Sequence, residues 1–303
     1  MNMRDKALMA PMVGLSLLLA MSQAGATVYD YNGFSDTTGL TLVGNAATAA
    51  TGDGTVMRVT SAGGGQAGAF YSTSAITLGA SATFSTTFQF RFTNPGGIDP
   101  ADGITFVLAQ APTGLGGAGY GMGYQSVANS VAIEFDTYNN AGYGIGNNDG
   151  DSSNHVSVDA GGVLNNAALT NVYGNGSCGF AGGTPAQNDY TVDGCMSNGH
   201  LWSVTIVYDG SFLSVSLTDP AKGVAFNALS NYAIDIASLL GTNQAYVGFT
   251  SATGAGWENH DIVDWHFANT TELGDPPNGV PEPSSIALVG IALVGLAGLR
   301  RRA

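Results

Sequence analysis

The chain has 303 residues, 45 of them glycine, with 44% hydrophobic and only 10% charged residues. The apolar content excludes a disordered acidic tail, the scarcity of helix formers excludes a coiled coil, and the lack of interior apolar runs of bilayer length excludes a many-span membrane protein. Eight basic residues face 22 acidic ones, a formal net charge of −14, and only Arg58, Arg91 and Lys222 lie away from the two ends; a polyanion needs several neutralising cations, so no nucleic acid is expected as a partner.

Residues 1–26 read as a secretory signal. Arg4 and Lys6 supply the positive start, Val13 to Met21 the short apolar run, and Ala24-Gly25-Ala26 the small-residue cleavage site. The exported chain then starts near Thr27. From there on, short alternating runs follow one another. Thr86 to Phe92 alternates polar and aromatic residues, the period of a half-buried strand. Gly103 to Ala109, Val131 to Phe135, Trp202 to Tyr208, Leu213 to Leu217 and Tyr246 to Thr250 are further strands. Asp209-Gly210 marks a hairpin turn, and Tyr232 to Leu240 is expected to hold one helical turn at most. Many strands with glycine-rich turns over about 250 residues predict one all-β sandwich. Cys178 and Cys195, in an exported protein, read as one disulfide closing a loop.

Val131 to Asn140 is the most informative segment. Strand side chains alternate faces, so Val131, Ile133 and Phe135 point to the core and Glu134 and Asp136 together to the other side, with Tyr138 and Asn140 in phase. Two adjacent carboxylates are tolerable when a cation neutralises them or when both reach water. Downstream lie Asp149, Asp151 and His155 in an Asn/Asp-rich run. Oxygen ligands suit calcium, and a histidine added to carboxylates suits a transition metal such as manganese. A solvated Asp/Asn turn is the competing reading of these residues alone.

Residues 274–283 read as a linker, Pro276-Pro277-Asn278-Gly279, running into Pro281-Glu282-Pro283. Residues 284–303 follow with the apolar stretch Ile286 to Leu299 and the cluster Arg300-Arg301-Arg302. As a helix that stretch spans about 21 Å at 1.5 Å per residue, short for a full bilayer. This tripartite arrangement resembles the PEP-CTERM sorting signal of Gram-negative bacteria. The resemblance implies an exosortase-type processing enzyme as partner, only transient membrane contact, and release to the outer surface or an exopolysaccharide matrix. Without its two ends the chain keeps 20 acidic residues (the 22 less Asp5 and Glu282) and three basic ones, a net charge of −17.

Residues 27–273 resemble the legume-type (L-type) lectin family. The resemblance is carried in order by Asn32-Gly33-Phe34, Gly44-Asn45-Ala46, Gly65 to Tyr71, Phe84-Ser85-Thr86, Pro100 to Phe106, Val131 to Asn140 with His155, Ser251 to Gly254, and Trp265-His266-Phe267. It implies a concanavalin A-like jelly roll of antiparallel sheets that binds carbohydrate with Ca2+ and Mn2+, or another transition metal. Glu134, Asp136 and His155 match the transition-metal ligands; Asp136, Asn140 and the Tyr138 carbonyl match the calcium ligands. The aspartate that should bridge both ions falls on Gly150, so either neighbour, Asp149 or Asp151, would serve, with Asp151 preferred. Asp102 matches the sugar-binding aspartate, preceded in the family by a cis peptide bond. Gly119 is the expected backbone donor of the Gly116–Tyr120 loop, Tyr138 a stacking ring, and Ala255 and Gly256 the donors of the last loop. Trp202 and Trp265 are expected to pack, while Trp257 stands in that last loop. His200, His260 and His266 are read as surface or locally hydrogen-bonded residues, and Glu258 and Asp261 as members of a solvated loop.

Two other functions compete with an exported metal-dependent lectin. A structural matrix protein would keep the fold without sugar binding. A glycoside hydrolase of the same architecture needs E-x-D-x-x-E, and the second glutamate position here is Asn139, which cannot protonate a leaving group. The chain is therefore not expected to be an enzyme.

Overall fold

The computed structural model describes residues 28–141, 149–182 and 187–271. The secretory signal, much of the loop after Asn140, the linker and the sorting segment lie outside the described residues.

In chain order the strands are β1 (Val28–Tyr31), β2 (Leu40–Gly44), β3 (Ala47–Thr51), β4 (Gly54–Thr60), β5 (Ala67–Ser72), β6 (Ile76–Thr77), β7 (Phe84–Gly97), β8 (Gly103–Ala109) and β9 (Ser130–Asp136). They continue as β10 (His155–Ala160), β11 (Thr170–Asn171), β12 (Cys178–Gly179), β13 (Asn188–Asp189), β14 (Trp202–Tyr208), β15 (Phe212–Thr218) and β16 (Phe226–Ala233). The single turn of helix α1 (Ile236–Leu240) precedes β17 (Gln244–Ala252) and β18 (Gly256–Ala268).

The strands form two large antiparallel sheets, the sandwich expected from the strand pattern in the jelly-roll form that the family resemblance implies. One runs β16-β15-β14-β7-β18-β4-β3, with β1 also on β18; the other runs β11-β10-β9-β8-β17-β5-β2, with β6 also on β17. Between them lies an aromatic core. Phe88, Phe90 and Phe92 of β7 point inward while Thr87, Gln89 and Arg91 point out, as the alternation requires. Phe88 meets Phe249 edge-on at 4.8 Å and Phe135 at 5.6 Å. The second sheet also buries its outer face, under loops that bring Tyr124, Val127 and Leu164 onto Tyr71, Val107 and Ala132.

The hairpin at Asp209-Gly210 forms as expected. Gly210 takes φ 99°, and the Asp209 carboxylate accepts the N–H groups of Ser211 and Phe212. The helical turn is shorter than the run Tyr232 to Leu240, because Tyr232 and Ala233 pair with β15 as the end of β16. Asp235 caps the turn by accepting the Ser238 N–H, and Gly241 ends it at φ 74°. Cys178 and Cys195 form the predicted disulfide.

Because Phe88 is 1% exposed and touches rings from both sheets, Phe88→Ala should lower the unfolding free energy by about 3–5 kcal/mol. Urea denaturation with an unchanged slope would establish this; a loss below about 1 kcal/mol would mean the core collapses around the gap.

Candidate functional site

The register of three neighbouring strands lines up one row of residues. Gly103 of β8 lies opposite Asp136 of β9, and Asp136 lies opposite His155 of β10. Glu134 sits two residues back on the same face as Asp136, turned away from the Ile133 and Phe135 side chains in the core. The loops over this sheet seal the row, so Glu134, Asp136 and His155 are all fully buried. His155 Nε2 lies 3.1 Å from Glu134 Oε1 and 3.2 Å from Asn166 Oδ1. One ligand atom from each of Glu134, Asp136 and His155 falls within 4.8 Å of the others.

Tyr138, Asn140 and Asp149 reach this row from the segments that follow β9 and precede β10. Asp136 Oδ1 accepts the Tyr138 N–H at 2.7 Å. The Asn140 N–H donates to Asp149 Oδ2 at 2.6 Å, and Asn166 Nδ2 donates to Asp149 Oδ1 at 2.9 Å. Asp149 is fully buried in the cluster whereas Asp151 is exposed. The preference for Asp151 is thus corrected in favour of Asp149, the buried one of the two aspartates that flank Gly150 (φ 60°).

Burial pushes the Glu134 carboxyl up to about 7 and that of Asp136 well above the usual range, and their negative neighbours add to the shift. Burial also raises Asp149 and depresses the His155 imidazole. Asp159 joins the group. Its Oδ1 accepts the N–H groups of Asn165 and Asn166, and burial with the adjacent Glu134 raises its carboxyl well above the usual range. A signal for Asp159 existed: His155, Ser157 and Asp159 alternate with Val156 and Val158, in phase with the acidic face of β9. Asn166 carried none, since a loop brings it in.

The cluster is rich in acceptors. Glu134 Oε2, Asp136 Oδ2 and Asn140 Oδ1 are buried without a hydrogen-bond partner among the described residues. Carboxylates, an amide oxygen and one imidazole nitrogen are the donor set of a hard cation beside a transition metal, so these residues fit the two ions.

Next to the cluster opens a cavity of about 230 Å3. All six residues expected to meet a sugar line it: Asp102, Gly119, Tyr138, Asn140, Ala255 and Gly256, together with Ile98 and Tyr120. The Ala101–Asp102 bond is cis. The Asp102 N–H donates to Ala252 O at 3.1 Å and its carbonyl accepts the Thr137 N–H at 3.0 Å. Asp102 Oδ2 is buried without a hydrogen-bond partner among the described residues, and burial, then the charges of Asp149 and Glu258, push the carboxyl well up. Gly119 borders the cavity, but its N–H is already donated to Thr253 O at 3.0 Å, which corrects its expected donor role.

Glu258, His260 and Asp261 also depart from expectation. They belong to β18, which runs unbroken through the segment read as a loop, and all three are buried. Glu258 Oε1 accepts the hydroxyls of Thr137 and Ser197, and Asp261 pairs with Arg58 at 2.8 Å. His200 and His266 pair with Asp219 and Asp30 as local partners. Trp202 and Trp265 are core residues, and the half-buried Trp257 ring lies over Gly96 and Gly97, beside the cavity rather than lining it.

Comparisons with known proteins agree with this geometry. The legume lectin domain matches residues 26–281, and the PEP-CTERM protein-sorting motif matches residues 279–302. A seed lectin of Styphnolobium japonicum is 30% identical over 206 residues, covering 64% of this chain and 59% of the relative. A lectin of Pisum sativum is 28% identical over 196 residues, covering 61% of this chain and 62% of the relative. The match therefore spans about three fifths of these relatives' own length. Among solved structures, basic winged bean lectin with Tn-antigen superposes with a TM-score of 0.62 at 21% identity, over 80% of this chain and 98% of that one. A Bauhinia forficata lectin in complex with GalNAc gives 0.61 at 20% identity, over 80% and 97%. The lectin model covers most of the chain and the solved lectins share its two sheets: the protein belongs to the legume lectin family and carries a PEP-CTERM sorting motif.

Proposed function

We propose that this protein is an exported, metal-dependent lectin that binds surface or matrix glycans and performs no chemistry on them. The observation that carries the reading is the shared wall between the buried acidic cluster and the cavity. Asn140 contributes to both, and Asp102 lines the cavity with one carboxylate oxygen left without a hydrogen-bond partner among the described residues. Glu134, Asp136, Asp149 and His155 would hold the transition metal; Asp136, Asp149, Asn140 and the Tyr138 carbonyl would hold calcium. The ions supply charge neutralisation and rigidity, fixing the loop of Asn140 before sugar arrives. Asp102 accepts hydrogen bonds from two hydroxyls, the Asn140 amide donates one, and Tyr138 and Ile98 offer apolar surface to the ring.

A hydrolase is disfavoured at the position that matters. Asn139 is buried and its Oδ1 accepts the Ala141 N–H, so it offers no acid to a leaving group. The sorting motif supports processing by an exosortase-type enzyme and delivery to the outer surface or matrix. A glycan array with and without chelator tests the function: binding to defined sugars that chelation abolishes is expected. An array that captures nothing would instead mark a matrix protein that keeps only the fold.

Calcium should raise the melting temperature of the purified protein, because a ligand of the folded state alone stabilises it by mass action. Asp136→Ala should remove the rise, and a wild-type melting curve indifferent to both calcium and chelator would dispose of the two-ion site.

The raised carboxyls set the pH dependence. An acid whose folded pKa exceeds its unfolded value holds more protons folded than unfolded, so stability falls as pH rises between the two values. Metal-free protein should accordingly melt at lower temperature as pH climbs from about 4 to about 7, while saturating calcium and manganese reverse the trend. Melting scans in chelator across that range check the sign; a rise in stability would mean these carboxylates meet water or a hidden cation.

Asp102→Asn should weaken sugar binding about tenfold or more, since one hydrogen bond to a charged acceptor contributes roughly 1.5–3 kcal/mol. Calcium affinity should stay nearly unchanged because Asp102 is outside the ion-holding set. Calorimetry at saturating calcium with a sugar identified on the array decides it; equal affinity would move the binding site elsewhere.

A further inference from the structure

Beneath the cavity, four buried hydrogen bonds form a ring that begins and ends on Gly103. The Gly103 N–H points at His260 Nε2 at 3.1 Å. His260 Nδ1 lies 2.8 Å from Thr60 Oγ1, and Thr60 Oγ1 lies 2.8 Å from Ser251 Oγ. The Ser251 hydroxyl donates to the Gly103 carbonyl at 2.7 Å. The direction of every proton follows from the first bond. A backbone N–H can only donate, so Nε2 must present its lone pair and the imidazole proton must sit on Nδ1. Nδ1–H then donates to Thr60, Thr60 donates to Ser251, and Ser251 donates to Gly103. The neutral Nδ1–H tautomer satisfies every partner, and Glu258 Oε1, 3.6 Å from Nε2, is then no hydrogen-bond partner of that nitrogen. Thr60, Ser251 and His260 are each fully buried.

The ring joins both sheets: Thr60 and His260 come from β4 and β18 of one, Ser251 and Gly103 from β17 and β8 of the other. It closes on the residue directly after Asp102. Gly103 stands at φ 120°, and a Cβ there would lie 2.1 Å from Phe135 O, so only glycine fits. The carbonyl of the Asp102–Gly103 peptide is held by the Thr137 N–H, and Asp102's own N–H is held by Ala252 O. His260 holds the remaining polar group of that peptide plane.

We propose that His260, through the ring with Thr60 and Ser251, is a positioning residue that fixes the Asp102–Gly103 peptide and so aims the Asp102 carboxylate into the cavity. The role rests on the lectin reading above. It goes further by assigning sugar affinity to three residues that touch neither sugar nor ion. Completed rings of this kind are stiff, because each bond polarises the next and any break strands a buried donor.

Thr60→Val keeps the side-chain shape and breaks the ring, and Thr60→Ser restores the hydroxyl. Calorimetry at saturating calcium would use N-acetylgalactosamine and the methyl glycosides of mannose, glucose and galactose. Thr60→Val should bind the sugar that wild type binds about tenfold more weakly, the worth of one hydrogen bond, with calcium affinity unchanged. Thr60→Ser should recover the affinity, and the Gly103 amide should exchange faster in the valine variant alone. Nitrogen-15 NMR of wild type should show His260 as the Nδ1–H tautomer, a readout that needs no variant. Should Thr60→Val fail to fold, Ser251→Ala opens the ring at its last bond. Sugar affinity equal to wild type in a folded ring-broken variant would reduce the ring to a bolt between sheets, and an Nε2–H tautomer would remove it outright. A wild type that binds none of these sugars, nor any on the array, would overturn the lectin reading and this role with it, even where the tautomer is as expected.

Discussion

Carboxyl groups buried with no lysine or arginine partner among the described residues are the constraint around which the molecule is arranged. Glu134, Asp136, Asp149 and Asp159 converge from β9, β10 and the loop between them, and Asp102 stands close by. Arg58 and Arg91 are committed to Asp261 and Asp53, and the Lys222 ammonium lies over the Tyr173 ring. Removing an ionised carboxylate from water costs several kcal/mol even after relaxation. Burial and mutual repulsion accordingly raise these carboxyls, and either a proton or a cation would relieve the strain of ionising them. Folding and proton binding are therefore linked at this site, and under the proposed function ion binding would join the same equilibrium.

The sheet makes that convergence possible. A carboxylate on an ordinary two-layer sandwich strand points either into the aromatic core or into water. Here the face of β9 opposite the core is covered by loops anchored on Tyr124, Val127 and Leu164, a third layer that seals Glu134 and Asp136. The antiparallel register then sets Gly103, Asp136 and His155 side by side on three strands, which places the Asp102 loop against the acidic row.

From that row, hydrogen bonds tie the cavity to the cluster. Thr137, between Asp136 and Tyr138, donates its N–H to the Asp102 carbonyl and its hydroxyl to Glu258. Ser197, just past the disulfide, donates to the same carboxylate oxygen. The Phe180 N–H, from the loop that the disulfide closes, donates to Asp99 beside the cavity. Rearranging the acidic strand would therefore disturb the loop beside the cavity, and the disulfide loop buttresses both.

The alternation in Val131 to Asp136 was enough to separate a core face from an acidic face, because strand geometry has a period of two and needs no partner to be read. The family resemblance named six residues that the fold sets along one cavity, and recurring alternating runs with glycine-rich turns were enough for an all-β sandwich. Local sequence failed where the outcome hung on which way a turn delivers a side chain: Asp149 and Asp151 flank the same glycine, yet one is buried and the other exposed. It failed again at Glu258 and Asp261, read as members of a solvated loop, and at His260, read as a surface or locally hydrogen-bonded residue. Their burial comes from β7 and β4 on either side and from Thr137 and Ser197, residues more than 60 positions away. Whether a polar residue meets water is decided by chain segments distant in sequence, so the ring through His260 existed only once both sheets had closed on it.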